Sequence, residues 1–135
     1  MAQRIIYGHQ NFEQAIDKLN SHSRNGKPFH MVRSYPCFEF WYLCHFAFTR
    51  TIIGSTGTKS SADKCIQLLN RKWNAAFNKK YEKSQTGIYK LLYNNLSTAM
   101  GNAKGTFREA IATDEMNPST EVHELVDKLI HIRDK

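Results

Sequence analysis

Residues 34–48 read Ser-Tyr-Pro-Cys-Phe-Glu-Phe-Trp-Tyr-Leu-Cys-His-Phe-Ala-Phe, an almost wholly apolar and aromatic run with one carboxylate, Glu39, inside it. A segment of this kind has to be interior, and a chain that contains it must build its other elements around it. Glu39 is the exception within the run. A carboxylate among Phe38, Phe40 and Trp41 costs several kcal/mol of desolvation unless a cation, a metal or good hydrogen bonds compensate, or unless it takes up a proton. Glu39 therefore either escapes at the edge of the core or is held inside for a purpose.

Periodicity does not decide the conformation of this run, because apolar residues occupy every face. Punctuation favours a helix. Pro36, two residues after Ser34, suits a first helical turn, where a missing N–H costs nothing. Phe38, Trp41, Tyr42 and His45 then share one side, and a helix apolar all round is expected to be buried.

Upstream, Arg4-Ile5-Ile6-Tyr7 reads as a short strand bounded by Gly8. Phe12, Ala15, Ile16 and Leu19 fall on one helical face behind an Asn11–Gln14 capping box, and the stretch 25–28, Asn-Gly-Lys-Pro, stops that helix. Phe29 to Arg33 reads as a second strand. Strand, helix and strand with short joins predict a right-handed parallel crossover.

Downstream the pattern turns helical. Residues 49–60 carry Gly54, Gly57 and several hydroxyls and read as a loop or loose hairpin. A helix capped by Ser60 or Ser61 follows, with Ile66, Leu69, Trp73 and Ala76 in phase and an end by Asn78. Another starts after Gly87 through Ile88, Leu91, Leu92 and Leu96. A third, over about 97–113, is expected to turn Ala99, Ala103, Phe107, Ala110 and Ile111 inward, with Gly101 and Gly105 allowing close backbone approach. Finally Asn117 to Thr120 reads as a turn and cap, and Val122, Leu125, Val126, Leu129 and Ile130 form a stripe expected to dock on the core. The fold class expected is α/β: residues 1–53 as an α/β core portion and 54–135 as a helical portion of a single domain.

The 135 residues hold one domain's worth of core. No apolar run approaches the roughly 20 residues of a membrane span, and no signal-peptide core is present, so a cytoplasmic protein is expected. Cys37, Cys44 and Cys65 lack CxxC spacing and read as core filler rather than a disulfide framework or zinc site. The net charge of +7 is concentrated: residues 50–110 carry +8 and residues 111–135 carry −3. A basic middle can meet phosphates or can be a solvated helical surface. Arg50, Lys59, Lys64, Arg71, Lys72, Lys79, Lys80, Lys83 and Lys90 are the candidate cations, interleaved with Trp73, Phe77, Tyr81 and Tyr89. Most of those aromatics fall where a helix needs core, which singles out Lys79, Lys80 and Lys83, clustered at an expected helix junction, for nucleic-acid binding.

Two segments resemble a known family. Ser34, Pro36, Cys37, Phe38, Glu39, Trp41, Leu43, His45 and Phe46 match the motif Ser-x-Pro-Cys-Phe-Glu-x-Trp-x-Leu-x-His-Phe of RloB-like proteins. Asn117, Pro118, Ser119, Thr120, Val122, His123, Leu125 and Val126 are similar to that family's closing Asn-Pro-Ser-Thr-x-Val-His-x-Leu-Val. The resemblance implies a setting in phage defence and abortive infection, a Toprim-related parallel sheet, magnesium-dependent phosphodiester cleavage by clustered acids, and a partner ATPase. Gly8 and His9 occupy the place after the family's Asp-x-Asp, which puts Ile5 and Tyr7 at the two aspartate positions, and neither can bind a metal. Glu39 is then the one carboxylate left, catalytic or metal-binding only if another chain supplies more.

The expected protein is an N-terminally truncated RloB-like module that binds DNA, RNA or a defence partner and does not cleave on its own. A nuclease completed by another chain, or a mobile-element inhibitor of a full-length relative, are the alternatives. An uncovered sheet edge would favour a dimer or complex. His45 reads as a packed histidine bonded to backbone, and His123, Asn117 and Thr120 as parts of the cap.

Overall fold

The computed structural model describes residues 31–133 and, before them, the helical residue Gln14. The chain divides into two units, Met1–Val32 and Arg33–Lys135. The strand expected at 4–7, the first helix apart from Gln14, and the positions of Ile5, Tyr7, Gly8 and His9 lie outside the described residues.

The second unit runs β1 (Ser34–Tyr35), α1 (Glu39–Leu43), α2 (Ser61–Phe77), α3 (Ile88–Leu92), a 3₁₀ turn over Tyr93–Asn95, α4 (Leu96–Thr113), β2 (Ser119–Thr120) and α5 (Val122–Arg133). This is a mixed α/β fold, mostly helical, with one small sheet. The expected parallel sheet is not what the described residues form. The described part of the second expected strand, residues 31–33, is not strand; the strand lies at Ser34–Tyr35 and pairs antiparallel with β2, Ser34 opposite Thr120 and Tyr35 opposite Ser119. Local strand propensity marks an extended segment but carries no information about a partner 86 residues away. The Ser34 and Thr120 hydroxyls bond to each other at 2.7 Å across this pair. Pro36 has no N–H to continue the ladder. On the other side the Glu121 N–H donates to Arg33 O at 2.8 Å, while the Glu121 carboxylate accepts from the Arg33 N–H at 3.1 Å and from its Nε at 2.6 Å.

The helix expected through the aromatic run is short and is not buried all round. Phe40, Trp41, Leu43 and Cys44 are core, whereas Phe38 and Phe48 are each about half exposed. Side chains from other elements explain where α1 stops: Asn102 Nδ2 donates to Cys44 O at 2.8 Å and Asn95 Nδ2 to His45 O at 3.0 Å. Those carbonyls are the orphans that a helix C-terminus exposes, and the amides satisfy them.

Helix α2 begins as its sequence predicts. Ser60 Oγ accepts the Asp63 N–H, and the Asp63 carboxylate accepts the Ser60 N–H. It ends at Asn78, whose φ of 55° stops helical propagation. Cys65, Leu69 and Trp73 recur every four residues and face α1. Trp73 meets Phe46, Phe77 and Tyr81 edge-on, with ring centroids 4.9–6.2 Å apart. Burying side chains such as Phe40 and Leu69 contributes roughly 1.5–3 kcal/mol each. Gly87, at φ 76°, precedes α3.

Helix α4 buries small residues, Ala99, Ala103, Thr106 and Ala110. Two expectations change there. Ile111 is exposed, and only one of the two glycines serves close approach: a Cβ at Gly105 would lie 3.0 Å from the Phe48 ring, whereas a Cβ at Gly101 would meet nothing. Helix α5 also departs from expectation. Its N-terminal turn is buried at Val122 and His123, but Leu125, Leu129 and Ile130 are exposed. The helix is anchored at one end rather than docked along its stripe.

Candidate functional site

Glu39 lies at the start of α1 and is only 7% exposed. Its compensation comes from the segment after α2. Asn78 turns the chain out of the helix, Asn70 Oδ1 accepts the Tyr81 N–H at 2.9 Å, and Tyr81 enters the core with its hydroxyl donating to Glu39 Oε2 at 3.0 Å. Lys83 Nζ is 3.9 Å from the same oxygen, but that side chain is 70% exposed, so solvent screens the pair. Burial first, and then the Glu39 contact, raise the Tyr81 phenol well above its ordinary pKa, which keeps it a donor. Tyr42 is raised for the same reasons.

Two thiols complete the surroundings. The Cys37 thiol lies 4.0 Å from Ala62 O, and the neighbouring Cys65 thiol lowers the Cys37 pKa against burial and the Glu39 charge, both of which raise it. The neighbouring Cys37, then burial and the nearby charges, raise Cys65. Burial alone pushes Cys44 up to about 12. All three cysteines are free.

Glu39 is thus met by a phenol, an ammonium and thiols. Magnesium takes several oxygen ligands, so the described surroundings of Glu39 do not fit it. Among the described residues no group of three or more His, Cys, Asp or Glu side chains is placed to hold a metal ion.

The remaining motif residues hold the architecture together. Ser34 and Thr120 form the hydroxyl pair across the ladder, and Thr120 Oγ1 also accepts the Val122 N–H at 3.1 Å. Asn117 Nδ2 donates to Ile53 O at 2.9 Å, fixing the loop before α2. Pro36 is half-buried behind β1, Phe38 stacks edge-on to Tyr42, and Trp41 stacks edge-on to His45 at 4.9 Å. His45 Nδ1 lies 3.0 Å from Trp41 O and 3.2 Å from Tyr42 O, and burial lowers its pKa. His45 is not brought to Glu39 as an acid–base partner by any contact. His123 is also buried, stacked edge-on to Phe107, with its pKa lowered by burial.

The basic residues separate into three groups. Arg50 is structural: its guanidinium donates to Pro118 O, Glu115 O and Thr113 Oγ1 at 2.7–3.1 Å. Lys79, Lys80 and Lys83 are exposed around Tyr81, with Lys83 drawn towards Glu39. The third group was not singled out by sequence. Lys64, Arg71 and Lys72 lie on the outer face of α2, where spacings of four, seven and eight place them with Leu68 in one row. They line two adjoining hollows of about 480 and 430 Å³ that share Thr49, Leu68 and Arg71, and the residues lining both include no carboxylate. Of the aromatics, Trp73 and Tyr81 are core and Phe77 is half-buried, but Tyr89 and Tyr93 are exposed and stacked edge-on at 5.6 Å.

A mostly helical α/β domain, in which an aromatic helix with a buried carboxylate is clasped to an Asn-Pro-Ser-Thr turn, is the class these features define. The chain belongs to the RloB-like protein family, whose sequence model matches residues 3–129. No curated protein and no solved structure matches it. No helix among the described residues is long and apolar enough to cross a membrane.

Proposed function

We propose that this RloB-like chain acts in phage defence as a nucleic-acid-binding module that does not itself cleave its ligand. The observation that carries the reading is the hollow along α2, where Lys64, Arg71 and Lys72 stand beside threonine hydroxyls with no carboxylate to neutralise them. Cations so placed track phosphates, and hydroxyls add bonds that position a backbone without reading its sequence. Lys79 and Lys80 extend the positive surface past the end of the same helix. Glu39 supports the non-cleaving part, because its carboxylate is engaged by Tyr81 inside the core.

The test is fluorescence anisotropy with labelled single- and double-stranded DNA and RNA across a salt series. Each cation that meets a phosphate contributes about 0.7–0.9 to the log–log salt slope, so replacing Lys64, Arg71 and Lys72 by glutamine is expected to reduce that slope by about 2–3. Binding that is absent or insensitive to salt overturns the reading. Magnesium- or manganese-dependent cleavage that is lost in Glu39→Gln overturns the non-cleaving part.

A further inference from the structure

A second groove, of about 530 Å³, opens between α4 and α5 and has a different chemistry from the hollow along α2. Lys104 and Arg108, one helical turn apart, form its α4 wall, and Glu124 and Asp127 its α5 wall. The two walls make no ion pair with each other. Asp127 is paired with His131 of its own helix at 3.5 Å, and Lys104, Arg108 and Glu124 have no ion-pair partner among the described residues. Opposite charges that face each other across open space without closing on each other leave both walls available to a third party.

His123 lies between them. The residue is 93% buried and lines the groove with its ring. Its ring, packed edge-on to Phe107, presents a flat aromatic surface. Gly101 keeps the space open, since even a Cβ there would meet nothing.

A polyanionic backbone is disfavoured here, because successive phosphates would meet Glu124 and Asp127. A ligand with one anionic end and one end rich in hydroxyl or amino donors suits both walls. We infer that the groove between α4 and α5 binds a single nucleotide, its phosphate held by Lys104 and Arg108 and its sugar hydroxyls or base amino group held by Glu124 and Asp127 beside His123. Arg and Lys together suit a phosphate by fork geometry and point charge, and the carboxylates accept from neutral donors without charge repulsion.

The experiment is isothermal titration calorimetry of the whole chain with each of the four nucleoside 5′-monophosphates, with inorganic phosphate, and with a 5′-phosphorylated oligonucleotide. The expected result is saturable binding of at least one monophosphate, weakened about tenfold or more by Arg108→Gln, since a charged hydrogen bond is lost. Gly101→Leu, which fills the groove at a site with room for it, is expected to abolish binding. Glu124→Gln should weaken the nucleotide and leave inorganic phosphate unaffected. The triple glutamine variant at Lys64, Arg71 and Lys72 should bind the monophosphate unchanged, which separates this inference from the nucleic-acid reading. Three results overturn it: no saturable binding of any monophosphate, inorganic phosphate binding as tightly as the nucleotide, or displacement of the nucleotide by the oligonucleotide at lower concentration.

Discussion

The Tyr81 hydroxyl donates to Glu39 Oε2 at 3.0 Å, joining two side chains 42 residues apart inside a core of aromatic rings and thiols. Removing the donor leaves a buried carboxylate oxygen without its close partner. Tyr81→Phe is therefore expected to cost roughly 1–3 kcal/mol, measured as a fall in the urea midpoint at unchanged slope. Glu39→Gln keeps an acceptor for the hydroxyl and should cost less. A Tyr81→Phe variant as stable as the parent would contradict the account of how Glu39 is tolerated.

Stability should depend on pH through two buried imidazoles. Burial lowers the folded-state pKa of both His45 and His123. The unfolded chain, with histidine near 6.5, then binds more protons than the folded one as the solution is acidified. Their contribution is complete above about pH 6.5 and is lost as pH falls below it. The urea midpoint is expected to drop between about pH 7.5 and about pH 5.5, before most carboxylates titrate. His123→Asn should flatten part of that fall, and a midpoint constant across the window would refute the assignment.

The three thiols should differ in reactivity. Cys37 is half-buried with a lowered pKa, Cys65 is buried and raised, and Cys44 is buried with a pKa of about 12. Alkylation requires the thiolate and access to it. Brief iodoacetamide treatment of the native protein followed by peptide mass spectrometry should find Cys37 modified first. Modification of Cys44 at the same rate would show that the interior opens more readily than its packing indicates.

Arg50 ties the loop before α2 to the turn after α4 through three acceptors. Arg50→Ala leaves the Pro118 and Glu115 carbonyls without that donor, and a loss on the order of 2 kcal/mol is expected. Hydrogen exchange should rise at the backbone amides of Ile53, Asn117, Ser119 and Thr120. Unchanged protection there would reduce Arg50 to a surface cation.

What the sequence made legible was local. Ser60, Asn78 and Gly87 punctuate helices locally, and each acts where its type predicts. What it hid was long-range. Nothing near Asn95 or Asn102 indicates that their amides terminate α1, and nothing near Tyr81 indicates that it faces Glu39. Periodicity grouped Leu125, Leu129 and Ile130 on one face correctly, but it cannot say whether a face is covered, and this one is exposed. The hollow along α2 was hidden for another reason: Lys64, Arg71 and Lys72 alternate with core residues in sequence and gather only once the helix sorts them onto one side.

The Ser34–Thr120 pairing has a consequence for the order of synthesis. A ribosome delivers Ser34 86 residues before the partner that completes its sheet. Closing a loop of that length costs about 4 kcal/mol of chain entropy, more than two residues of ladder can offset unaided. Helices α1 and α2 must therefore gather around the aromatic core while β1 is still single. The clasp between the two family motifs can close only after the residues around Thr120 have left the ribosome, and it then ties an already assembled aromatic core to its second strand.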